Sequence, residues 1–122
     1  MRVYSGSARI NIQNRITDNY YQMSLINMSE NDSRDILLTF AMSIANLIKL
    51  IDKTVGDKIL VVIDQLTTQH SELLKRHPEN RSRNALSRER IRNKYETDID
   101  NDLKIDLCNE ISELIGDNEI LM

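Results

Sequence analysis

One proline and three glycines in 122 residues leave few places for tight turns. An all-β fold needs such turns throughout, so helices are expected instead. Aromatic side chains are nearly as scarce, with one Phe, four Tyr and no Trp. The core must therefore be aliphatic, built from Ile, Leu, Met and Val. The single cysteine, Cys108, excludes an internal disulfide and a CxxC-type zinc site, and fits a reducing compartment. The first 21 residues hold no apolar run of the length a secretory signal needs, so a cytoplasmic location is expected. A net charge of −3 gives no overall pull toward nucleic acid. A Gly-rich phosphate loop and a nucleophile motif are both missing, so the chain reads as a non-enzyme without cofactor or metal.

What the chain does have is a long apolar stretch over residues 36–55, ILLTFAMSIANLIKLIDKTV. Leu37, Phe40, Ala41, Ile44, Leu47, Ile48, Ile51 and Val55 share one face at the helical repeat. Ile36, Leu38, Met42, Ala45 and Leu50 widen it, which predicts a helix buried on several sides. Ser29, Asp32 and Ser33 supply N-terminal caps, and Gly56 supplies a stop. The 16 residues between Asp35 and Asp52 include Asn46 and Lys49, and a membrane span needs roughly 20 mostly apolar residues. A buried helix is therefore expected and a span is not.

The remaining helices are predicted around this one. A helix from about Ala8 carries Ile12, Ile16, Tyr20, Met23 and Ile26 on one side and Tyr21, Leu25 and Met28 on the other. Two apolar sides imply either burial between neighbours, the favoured reading, or a self-association face. A helix over residues 57–76 presents Ile59, Ile63, Leu66, His70, Leu73 and His77, although Ile59 to Ile63 also suits a buried strand. Pro78 ends it, and residues 78–82 read as a loop. A weakly amphipathic helix over 84–96 follows, capped by Ser82 or Asn84, with Ile91 and Tyr95 as a narrow apolar stripe. Thr97 resembles the cap of a last helix over 98–115, with Ile99, Leu103, Leu107, Ile111 and Leu114 inward and Gly116 as its stop. Residues 84–115 equally fit one continuous helix. The expected fold is all-α, a single-domain bundle of four or five helices over residues 1–122, with 1–7 and 117–122 as loose ends.

Charge is segregated along the second half. Residues 75–94 hold eight basic side chains against two acids, and 95–122 hold nine acids against one base. At helical spacing Arg83, Arg90 and Lys94 gather on one side and Arg88 and Arg92 on another. The favoured expectation is that this segment is solvated or paired with the acidic helix after it, or with the acidic face of a sister subunit. Arginine forks also suit an acidic protein or nucleic acid.

Other groups read as structural. Asp98, Asp100 and Asp102 start like a calcium loop, but Leu103 stands where Gly is needed and Asn109 where a bidentate Glu is needed. His70 and His77 lie two turns apart, too far for a paired metal site on one helix. His70 reads as a boundary residue with one ring nitrogen bonded, and Cys108 as a small core residue. Glu110 and Glu113 have no second acidic pair with which to build a metal cage. The abundance of Asn, Ile and Asp resembles chains from AT-rich genomes such as phages, plasmids and large DNA viruses. The function expected is a small adaptor, chaperone or regulator that binds a protein partner, acts as a homodimer, and uses Tyr21, Leu25, Met28, Ile91 and Tyr95. The alternative is a nucleic-acid-binding regulator that uses Arg83, Arg88, Arg90, Arg92 and Lys94 on the basic helix over 81–94.

Overall fold

The computed structural model describes residues 6–117. It is an all-α bundle of four helices: α1 (Gly6–Ser24), α2 (Ser33–Lys49), α3 (Lys53–Leu74) and α4 (Ala85–Asp117). A short 3-10 turn, Pro78–Arg81, links α3 to α4. Each helix packs on the next, α1 meets α4 to close the ring, and α2 touches α4 across the middle. No helix among the described residues is long and apolar enough to cross a membrane.

The apolar stretch does form the centre, but not as one helix. Leu37, Ala41, Ile44, Ala45, Leu47 and Ile48 of α2 are buried. Burying a side chain of Leu or Ile size contributes roughly 1.5–3 kcal/mol, so this helix is a main source of stability. It stops at Lys49, and α3 starts at Lys53. The reason lies in Asp52, whose extended backbone and side chain cap α3 by accepting the Val55 N–H at 3.2 Å. Gly56 is consequently not a stop. It is buried in the first turn of α3, where the chain doubles back onto Lys49. Val55, Ile59 and Ile63 are buried below it, and the segment that also suited a strand is helical throughout.

Two further helix ends differ from the periodic reading. α1 already contains Gly6 and Ser7 and ends at Ser24. Ile26 and Met28 follow it in the turn, where Ile26 packs against the core and Met28 is only 3% exposed. α3 ends at Leu74, so His77 leaves the α3 stripe and takes left-handed backbone (φ 46°) before the turn that Pro78 opens. Residues 1–5 and 118–122 of the expected loose ends lie outside the described residues.

α4 settles the question of one helix or two. Asn84 starts it by accepting the Leu86 N–H at 2.9 Å. It then runs unbroken for 33 residues, about 50 Å at the helical rise, through Gly116 to the last described residue. Thr97 is therefore an interior residue and caps nothing. Ile99, Leu103, Leu107, Ile111 and Ile115 bury its second half in the bundle.

Candidate interaction surfaces

Among the described residues, nothing covers the outer side of α1. Tyr21 and Leu25 are 59% and 58% exposed, one helical turn apart, and the Leu25 N–H extends the helical pattern to the Tyr21 carbonyl. Ile10 is 56% exposed and lies eleven residues before Tyr21, three full turns away on the same face. Met28 does not belong to this face, because the chain turns inward after Ser24 and carries it into the core. Ile10 takes its place. The favoured expectation of burial between neighbours fails here, since α2 and α4 both pack on the opposite side, through Ile12, Ile16, Tyr20 and Met23. Tyr20 also donates its hydroxyl to the Cys108 carbonyl at 3.2 Å, which fixes α1 against α4.

The first third of α4 is a second uncovered surface. Tyr95 is half-buried and donates its hydroxyl to the Leu73 carbonyl, next to the last residue of α3. It is thus a tie between helices, not a free contact residue. Residues 85–94 precede Tyr95, which meets the end of α3, and all but Ser87 are exposed. Arg83, Arg88, Arg90, Arg92 and Lys94 are all exposed, and none joins an ion pair within 4.0 Å among the described residues. Arg88 makes one long hydrogen bond, to the Ser82 carbonyl at 3.4 Å. The expected pairing with the following acidic segment does not form, because one straight helix cannot fold its basic third onto its acidic remainder. Ile91 is 39% exposed on this arm and Leu86 is 67% exposed. Beneath the arm, Glu79 sits below the usual carboxylate range. Its own backbone amide is the main cause, burial opposes it, and His77 and Arg92 add to it.

A cleft of about 370 Å³ opens at the base of the arm. Its walls are the turn before α2, the first turn of α2, and Asn93, Glu96, Thr97 and Asp100 of α4. Arg34 is committed to Asp100, with Nε on Oδ1 at 2.6 Å and Nη2 on Oδ2 at 3.2 Å. That hydrogen bond raises the Arg34 pKa, and burial opposes it. The other carboxylates of the cleft, Glu30, Asp32, Asp35 and Glu96, join no ion pair among the described residues. These acids are scattered in the sequence, and only the contact of α2 with α4 assembles them.

The remaining titratable groups are dispersed. His70 is 4% exposed, with Nδ1 2.7 Å from the Leu66 carbonyl and Nε2 3.3 Å from Asp106 Oδ2, so both ring nitrogens have partners. His77 faces Glu79 instead. Cys108 is a half-buried free thiol whose pKa burial pushes up, with Lys104 opposing. Asp106, which meets His70, and Cys108 lie about 200° apart around α4, so His70 and Cys108 do not meet. Glu110 lines a shallow apolar groove with Val61, Val62 and Leu114. Among the described residues no group of three or more His, Cys, Asp and Glu is placed to hold a metal ion. The chain matches no family model, no curated protein and no solved structure.

Proposed function

We propose that this chain is a non-enzymatic protein-interaction module, a small adaptor, chaperone or regulator of the cytoplasm. The observation that carries this reading is the face of Ile10, Tyr21 and Leu25. Three large side chains more than half exposed, on α1 and the residue that follows it, and with no element among the described residues over them, favour association with another apolar surface. The partner of suitable chemistry is a helix or groove with an aliphatic stripe about 22 Å long, the span from residue 10 to residue 25 at the helical rise. The test is affinity purification with the wild-type chain and with a Tyr21→Glu, Leu25→Glu variant. Both positions are on the surface, so the variant keeps its helical circular dichroism. Loss of the partner supports the reading, and undiminished capture by the variant contradicts it.

A second reading has its own observation. The projecting arm and the bend just before it carry five exposed cations without ion pairs among the described residues. Such an arm is suited to phosphates, and nucleic-acid binding through it would weaken steeply with salt. Absence of binding at low salt contradicts this alternative.

A further inference from the structure

We infer that the acidic cleft at the base of the arm receives the basic arm of a second copy of this chain, and that the exchange is reciprocal. The inference goes beyond the proposed function, takes up the homodimer expected from the sequence, and uses no residue of the α1 face.

Charge complementarity identifies the occupant. The arm is an exposed helical rod bearing Arg88, Arg90, Arg92 and Lys94, with Arg83 in the bend just before it, and none has an ion-pair partner among the described residues. The cleft wall holds Glu30, Asp32, Asp35 and Glu96 in the same condition. The one cation in the cleft, Arg34, is hydrogen-bonded to Asp100 and reaches Glu96 and Asp35 only through longer-range attraction. Within one molecule the two surfaces cannot meet, because the arm continues the same helix that forms the cleft wall. Between two molecules they can.

Helix geometry adds an apolar element. Leu86, 67% exposed, stands seven residues before Asn93, which lines the cleft. Residues seven apart share a helix face, so Leu86 overhangs the open side of the cleft. Arg90 flanks Leu86 one turn on, Lys94 lies on the same flank, and Arg83 stands in the bend just before the helix. A two-fold axis midway along the arms, near residues 89 and 90, lays them side by side and antiparallel. It brings each Leu86 over the partner's cleft and the flanking cations onto its carboxylates. This is an isologous contact, in which one patch contains both halves of the complementarity, and it closes at two copies. Opposite charges on a rim of this kind set register and give an association that salt weakens.

The experiment is a charge swap read by light scattering and sedimentation. The arm variant is Arg83→Glu, Arg90→Glu, Lys94→Glu. The cleft variant is Glu30→Lys, Asp35→Lys, Glu96→Lys. All six positions are exposed, so circular dichroism and a cooperative melt check that each variant folds. Wild-type chain is expected at about 28 kDa, twice its 14.2 kDa, with a dissociation constant rising about tenfold or more between 0.1 and 0.5 M salt. Each variant alone, like charge facing like, is expected as a monomer. Mixed one to one they are expected as a heterodimer, because the swapped arm meets the swapped cleft and the two native surfaces meet each other. Wild-type monomer, variants that dimerise as wild type does, or a mixture that stays monomeric overturns the inference. A dimer lost through Tyr21→Glu, Leu25→Glu but untouched by the swaps also overturns it, and leaves the protein-interaction reading standing. An arm variant that loses only nucleic-acid binding, its mass unchanged, overturns it in favour of the nucleic-acid alternative.

Discussion

Arg34 at the start of α2 grips Asp100 in the middle of α4 through two nitrogen–oxygen contacts, at 2.6 and 3.2 Å, where the basic arm leaves the bundle. Asp100 is 8% exposed, so this carboxylate depends on its partner. Replacing Arg34 with Met is expected to lower unfolding free energy by about 1–2 kcal/mol, after discounting for a guanidinium that is over a third exposed. Adding Asp100→Asn should recover part of that loss. Urea unfolding of the three variants checks this, and an unchanged midpoint in Arg34→Met would refute the dependence.

Gly56 and Gly116 should respond to alanine in opposite senses. A Cβ at residue 56 would lie 2.8 Å from the backbone nitrogen of Lys49 and 2.9 Å from its Cα. Backbone cannot swing aside as a side chain can, so Gly56→Ala is expected to cost about 1–3 kcal/mol despite alanine's better helix propensity. At Gly116 nothing lies within 4 Å, and Gly116→Ala should stabilise by about 0.5–1 kcal/mol. Thermal melts of the two variants provide the comparison.

Asp57 accepts hydrogen bonds from Lys49 and Lys53, each at 3.2 Å, and these hold its carboxyl below the ordinary range. The folded state therefore binds the Asp57 proton more weakly than the unfolded state does. Its contribution is present above the ordinary carboxylate pKa and is lost as pH falls through the lower, folded value. The stability difference between wild type and Asp57→Asn should be greatest near neutrality and vanish in acid. A difference that grows on acidification would contradict the sign.

Cys108 should be a slow nucleophile. Burial pushes its thiol pKa up, which lowers the thiolate fraction at neutral pH. Alkylation of the folded chain is expected to be about tenfold or more slower than alkylation in denaturant. Equal rates would place the thiol in open solvent.

Most of the bundle was legible in the sequence because apolar periodicity reports burial directly. Ile12, Ile16, Leu37, Ile44, Ile48, Ile59, Leu103, Leu107 and Ile111 all stand in the core where their spacing put them. The breaks were less legible. Nothing in the period of residues 36–55 marks the corner at 50–52, because Leu50 and Ile51 continue the apolar pattern. Asp52 as a cap, with Gly56 one turn later as a point of close approach, was the available signal. Met28 was placed on the α1 face by extending a helix that stops at Ser24, and Ile10 was missed because its partner lies eleven residues away. The arm's five basic residues could be read from the local charge run, but the acidic cleft could not. Its carboxylates come from two segments more than sixty residues apart, and Arg34–Asp100 joins them only in the fold.

The central claim is that this chain works by binding protein. The most direct measurement is affinity purification of the tagged chain from its own source, divided into nuclease-treated and untreated halves. Each half is run beside the Tyr21→Glu, Leu25→Glu variant. The expected result is a partner protein retained in both halves and lost with the variant. Material that nuclease releases, and that the α1 variant still captures, would contradict the claim and move function to the basic arm.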